Sequence, residues 1–200
     1  MTVQEADDGR SETQTAIMDA TYRALCRRGY ADLTMQSIAD EFEKSKSLIH
    51  YHYDTKEELL AAFLDYLLDK FLAQVEVADD DDPTERLDTL VEALLSGPER
   101  AGDFQVAMLE LRSQTPYVEA YREAFAANDE YLAGLLAETI RDGIEAGAFC
   151  DVDPERAAET ILVMIDGART RSVVFDDDDT VANVRAAIDG YVNSHLRRTE

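Results

Sequence analysis

Residues 34–58 read TMQSIADEFEKSKSLIHYHYDTKEE, and the punctuation of this stretch decides the fold. Thr34 places a side-chain oxygen ahead of Met35, Ile38, Ala39 and Phe42, which recur at helical spacing, so it caps a short helix reaching about Glu41. A tight turn at Glu43-Lys44 separates it from a second short helix over roughly 45–51. Thr55-Lys-Glu-Glu58 has the spacing of a capping box, with Thr55 opening a third, longer helix. Two short helices across a tight turn form a helix-turn-helix, here about 34–53. Lys44, Lys46 and Lys56 are three of only four lysines in the chain, which points this stretch toward a polyanion.

Outward from there the chain stays helical. Upstream, residues 1–10 are a polar tail, and Ile17, Ala20, Thr21, Ala24 and Leu25 mark a helix over 11–28. Gly29 stops that helix, with Arg27 and Arg28 in the last turn, where the dipole favours cations. Downstream, Leu59, Leu60, Phe63, Leu64, Leu67, Leu68, Phe71 and Leu72 form a broad apolar stripe. Four prolines at 83, 98, 116 and 154 each follow a small or oxygen-bearing residue and predict helix starts. The resulting helices are 83–95, 98–113, 116–146 and 154–174, and a last one runs over 180–197. The expected fold is all-α with about nine helices. A three-helix domain carrying the helix-turn-helix spans 11–71, and a second helical domain spans 72–200.

The net charge of −24 argues against nucleic acid if taken whole, yet binding depends on the local face. Residues 1–60 hold 7 basic and 12 acidic groups, while 61–200 hold 12 and 31, so the acidity is concentrated away from the helix-turn-helix. A carboxylate surface this dense suits a protein kept hydrated in a salt-rich cytoplasm. Residues 1–10 lack the apolar core of a signal peptide, and the longest apolar run, 161–165, is far below the ~20 residues of a membrane span. A soluble, cytoplasmic protein is expected.

No metal or cofactor is expected. His50 and His52 point about 200° apart on a helix and cannot easily share an ion, with His52 the one expected inside. The aspartate runs at 79–82 and 176–179 lack the alternating ligands and turn glycine of a calcium loop and read as solvated linkers. Cys26 and Cys150 have no metal-ligand spacing and read as reduced thiols. With no nucleophile elbow, phosphate loop or dinucleotide fingerprint, no enzyme is expected.

The chain resembles the TetR family of transcriptional regulators. The resemblance rests on Arg28-Gly29-Tyr30, Leu33-Thr34-Met35-Gln36-Ser37-Ile38-Ala39, Ser45-Lys46-Ser47, Leu48-Ile49-His50-Tyr51-His52-Tyr53 and Asp54-Thr55-Lys56-Glu57-Glu58-Leu59-Leu60, in order over residues 11–60. It departs from the family where Glu43-Lys44 replaces a Gly-Val turn, Ser47 a glycine, Leu48 a small hydroxyl residue and Tyr53 a phenylalanine. Gly143-Ile-Glu-Ala-Gly147, then Asp153-Pro154-Glu155 into Ile161 to Gly167, extends the likeness more loosely.

The resemblance implies a transcriptional repressor whose 11–71 domain binds DNA and whose 72–200 domain binds a ligand and dimerises. It would be a homodimer, packed through its last two helices, on a palindromic double-stranded DNA operator, released or modulated by a small-molecule effector. It assigns DNA contacts to Thr34, Gln36, Lys44, Ser45, Lys46, Ser47, Leu48, His50, Tyr51 and Lys56. Leu48 would meet a thymine methyl, and the polar residues would meet phosphates and base edges. Tyr51 and Tyr53 have an alternative in packing on the first helix. Ala157, Ile161, Ile165, Ala168, Ile188 and Val192 suit the dimer interface or, equally, the chain's own core. Phe104, Gln105, Met108, Arg112, Tyr121, Phe125, Asn128 and Met164 are the effector candidates, suiting a hydrophobic molecule. The altered Glu43-Lys44 turn keeps a second reading open, a dimer of the same fold that has lost operator binding and acts through a ligand or protein partner.

Overall fold

The structure, a computed structural model, describes residues 10–42, 46–76, 82–96, 102–177 and 179–197. The described chain forms nine α-helices: α1 (Glu12–Arg28), α2 (Met35–Glu41), α3 (Lys46–His52), α4 (Lys56–Glu76), α5 (Pro83–Ser96), α6 (Gly102–Arg112), α7 (Glu119–Glu145), α8 (Pro154–Phe175) and α9 (Asp179–Tyr191). A single π-helical turn, Val192–Leu196, follows.

The helix ends obey their side chains. Ser11 caps α1 and exchanges hydrogen bonds with Gln14, and Gly29 ends α1 at φ 69°, where a side chain would be strained. Thr34 caps α2 through the Ser37 N–H while the Ser37 hydroxyl accepts from the Thr34 N–H. Asp153 caps α8 ahead of Pro154. Asp82 accepts from the Thr84 N–H at the start of α5.

Four expectations need correction. Thr55 opens α4 as expected and accepts from the Glu58 N–H, but the Glu58 carboxylate takes the Asp54 N–H in place of Thr55's own, so the return bond of the box is displaced by one residue. Pro116 opens no helix: residues 113–118 wind through successive turns, with Tyr117 N–H on the Gln114 carbonyl, and α7 begins at Glu119. The last helix widens after Tyr191, because Leu196 gives its carbonyl to the Cys150 N–H (2.6 Å) and Arg197 bridges to Phe149. The second aspartate run does more than link. Asp176 ends α8 in the left-handed region, and Asp177 accepts from the Thr180 hydroxyl and the Asp179 N–H to open α9. Pro98, the aspartates at 79–81 and the Glu43-Lys44 turn lie outside the described residues.

Two compact units can be distinguished: Met1–Ala73 with Arg100–Asn128, and Gln74–Glu99 with Asp129–Glu200. The first is built on Ile17, Met18, Leu25, Ile38, Ile49, Leu59, Leu60 and Phe63, joined by Phe104, Ala107 and Leu111 of α6 and Tyr121 of α7. Arg10 closes onto it, with its guanidinium on Asp69 and beside the Tyr66 ring, so the last residue of the expected tail is anchored.

The second unit is held by Leu87, Leu90, Val91 and Leu94 of α5 together with α8 and α9. Arg185 and Arg197 both reach the Asp88 carboxylate, at 3.5 and 3.3 Å, which ties α9 and the chain end to α5. Phe149 lies so close to Gly143 that a Cβ there would sit 2.1 Å from its ring. Ala157, Ile161, Ile165, Ala168, Ile188 and Val192 are each 5% exposed or less. They are therefore intrachain core, and the stripe read from their periodicity faces inward. The outer surface of α8 and α9 instead presents Val163 (64% exposed), Gly167, Val174, Ala182, Ala186 and Gly190.

Candidate nucleic-acid interface

The helix-turn-helix is braced from α1. Arg23 donates to the Glu41 carbonyl at 2.8 Å, satisfying an end carbonyl of α2, and Arg27 pairs with the Glu41 carboxylate at 2.7 Å. On α3, Ile49 is fully buried and Tyr53, just beyond it, is 7% exposed; both belong to the core. Tyr53 packs as expected, with Gln14 of α1 as its hydrogen-bond partner, and burial pushes its phenol above the usual range. His52 is half-buried against the Tyr51 and Tyr53 rings, while His50 is exposed.

What remains outward on α3 is one face. Ser47, His50 and Tyr51 are exposed at spacings of three and four, which places them side by side. Tyr51 is 81% exposed, so it does not pack on α1. Leu48 is half-buried and packs against the core, which leaves only part of it for a base contact. Thr34 and Gln36 are exposed at the start of α2, with the Gln36 amide on Asp40 at 2.9 Å. The Lys56 ammonium donates to the Leu33 carbonyl at 3.2 Å and lies 4.4 Å from the Tyr30 ring centre. Lys44, Ser45 and the Lys46 side chain lie outside the described residues.

Seven of the eight effector candidates fall in the first unit, and Met164 belongs to the second. Phe104 is 3% exposed and packs at 4.8 Å on Tyr22; Met108 and Phe125 lie against the same core. Gln105 is half-buried, the Arg112 guanidinium covers the Phe125 ring at 5.3 Å, and the Asn128 amide donates to the Leu64 carbonyl. Tyr121 is fully buried and edge-on to Tyr30 at 6.2 Å. Among the described residues its hydroxyl has no partner at hydrogen-bond geometry, and burial, with the Tyr30 phenol beside it, holds it well above the usual phenol range. Tyr22 and Glu110 are not among the residues the sequence reading names, and Tyr30 enters it only within the Arg28-Gly29-Tyr30 likeness. Tyr30 is marked only by following the Gly29 corner, and Glu110 by nothing local. A groove of about 580 Å³ along α7 and α8, lined by Tyr131, Gly134, Glu138, Arg141 and Glu155, contains none of the candidates.

Cys26 is half-buried, and burial with Asp103 nearby pushes its thiol up, so the reactive thiolate is disfavoured.

Residues 17–63 match the family described as bacterial regulatory proteins, tetR family, and residues 83–197 match the C-terminal region of BetI-type transcriptional repressors. The chain belongs to the TetR family. This TetR-family regulator is 29% identical to the HTH-type transcriptional regulator BetI of Rhizobium meliloti, over 91% of its own length and 88% of that protein's. Among solved structures, a TetR transcription regulator from Haloarcula marismortui is 47% identical, with a TM-score of 0.87 over 94% of this chain and all of that one. A Saccharomonospora viridis transcriptional regulator, solved in complex with choline, shares the fold at 24% identity and a TM-score of 0.80, over 95% of this chain and 100% of that one. The protein is thus a DNA-binding transcriptional regulator of the TetR family, with a repressor-type C-terminal region. Among its described residues, no helix is long and apolar enough to cross a membrane.

Proposed function

We propose that this TetR-family protein represses transcription as a homodimer. Each copy sets α3 into the major groove, with Ser47, His50 and Tyr51 toward the DNA and Thr34, Gln36 and Lys56 on flanking phosphates. Lys44, Ser45 and Lys46 complete the contact set, and Leu48 contributes at its edge. The supporting observation is Tyr51: an aromatic side chain left 81% exposed between buried Ile49 and buried Tyr53 has no use inside the fold. A two-fold dimer presents two reading helices about 34 Å apart, so the operator is a palindrome with half-sites one turn apart.

The dimer face is the outer surface of α8 and α9. Exposed Ala182, Asn183, Ala186, Ala187 and Gly190 carry no charge in a chain with 43 acids. Such a strip favours a second copy over solvent.

Selection of duplexes from a randomised pool by the full-length protein, followed by footprinting, tests operator reading. A discrete palindrome, still bound in molar salt because few phosphate contacts carry the affinity, is the expected result. Enrichment of no sequence would overturn it.

The effector is a small organic molecule received by the α6 and α7 residues of the first unit. Tyr22, Phe104, Tyr121 and Phe125 supply aromatic faces that suit an organic cation. Choline, bound by the Saccharomonospora viridis regulator, is the first compound to test. Calorimetry with choline, and release of the selected duplex by it, gives the answer. No heat and no release would remove choline.

A further inference from the structure

Five helices meet at the corner between α1 and α2. Tyr30, just past Gly29, donates its main-chain N–H to Glu110 Oε2 of α6 at 2.8 Å. The same oxygen would sit 3.1 Å from a Cβ at Gly29, so the bare glycine gives the carboxylate room. The Tyr30 ring carries the Lys56 ammonium of α4 on one side and meets Tyr121 of α7 edge-on. Three residues on, the Leu33 carbonyl accepts from Lys56, and the next residue, Thr34, is the cap of α2. One side chain of α6 therefore grips the main chain that leads into the helix-turn-helix.

Phe104, Ala107 and Leu111, buried in the first unit's core, anchor α6 beside this bond. Glu110 lies two residues from both Met108 and Arg112, two of the four effector candidates on the same helix.

We propose that Glu110 is a positioning residue of the DNA reader: it sets the α1–α2 corner through the Tyr30 amide. This rests on the operator-binding reading above.

The test uses the full-length protein and the duplex that the wild type selects from a randomised pool. Glu110→Gln keeps an acceptor without the charge, Glu110→Asp keeps the charge but shortens the reach, and Glu110→Ala removes both. At a temperature where circular dichroism shows every variant folded, Gln binds within about twofold of wild type, and Asp and Ala bind on the order of tenfold more weakly. Hydrogen exchange of the amides at 30–37 speeds up in Asp and Ala alone. Wild-type binding and exchange in Asp and Ala would overturn the proposal. So would a Gln variant as weak as the other two, since charge rather than the bond would then matter. If Ala does not fold, the Asp and Gln pair makes the same comparison. If the wild type selects no duplex, operator reading has failed, and exchange at 30–37 still decides the role of Glu110.

Discussion

Lys56 and Leu33, 23 residues apart in sequence, are joined by a hydrogen bond of 3.2 Å from the ammonium to the main-chain carbonyl. An ammonium has three donors, so this bond leaves others for a phosphate. Lys56→Met is expected to act twice. The corner loses a bond, lowering stability by about 1 kcal/mol. The dependence of operator affinity on salt becomes shallower by about 0.9 in log–log slope, the value of one lost phosphate contact. Binding titrated against potassium chloride, with a parallel melt, reads both. An unchanged slope would confine Lys56 to its internal role.

Tyr51 and Tyr53 are two residues apart and should fail in opposite ways. Tyr51→Ala removes an exposed ring, so the melting curve stays within roughly 0.5 kcal/mol of wild type while operator affinity drops. Tyr53→Ala empties a core site and costs roughly 3–5 kcal/mol of stability. Calorimetric melts set beside gel-shift titrations separate the two. Normal DNA binding by Tyr51→Ala would remove that residue from the interface.

Tyr121 buries a hydroxyl that has no partner at hydrogen-bond geometry among the described residues. Tyr121→Phe deletes that uncompensated group and should stabilise the chain by roughly 1 kcal/mol near neutral pH. Its pH dependence follows from the raised phenol. Below about pH 10 both folded and unfolded chains hold the proton. Above it the unfolded chain ionises first, so stability falls as pH rises toward the folded value. The Phe variant should lose less in alkali, and denaturant melts across that range measure the difference. Asp177 has the opposite sign: the Thr180 hydroxyl holds its carboxylate below the usual range. Its contribution is present above the unfolded value and fades as pH falls through the folded one, and it is absent in Asp177→Ala.

The outer strip of α8 and α9 is tested by charge. Val163→Glu or Ala186→Glu should give monomers by sedimentation with helical content intact, and operator binding should be lost with the dimer. Ile161→Ala, by contrast, should cost roughly 2–5 kcal/mol of stability without a specific effect on assembly. Dimers that survive both charge substitutions would place the interface elsewhere.

What could be read in the sequence was local. Thr34, Gly29 and Asp153-Pro154 act within one turn of themselves, and the structure agrees at each. Pro116 misled because proline is equally at home inside a tight turn. The stripe containing Ile161 and Ile165 was seen, but periodicity marks an apolar face without naming the neighbour that covers it. The outward face of α3 is legible only as a set; which of Leu48, His50, Tyr51 and His52 point outward depends on how that short helix is seated, through Ile49, in the first unit's core. Glu110 could not be found at all. One acid among 43 carries no signal when its partner is a main-chain amide eighty residues away.

That amide has an evolutionary side. Because Glu110 holds the backbone of residue 30 and not its side chain, almost any residue at 30 preserves the bond, and only proline, which has no N–H, abolishes it. Drift at position 30 therefore leaves the grip untouched, while drift at 110 releases it. The constraint is one-sided, and correlated substitution between the two positions, the usual trace of a contact, would not reveal it.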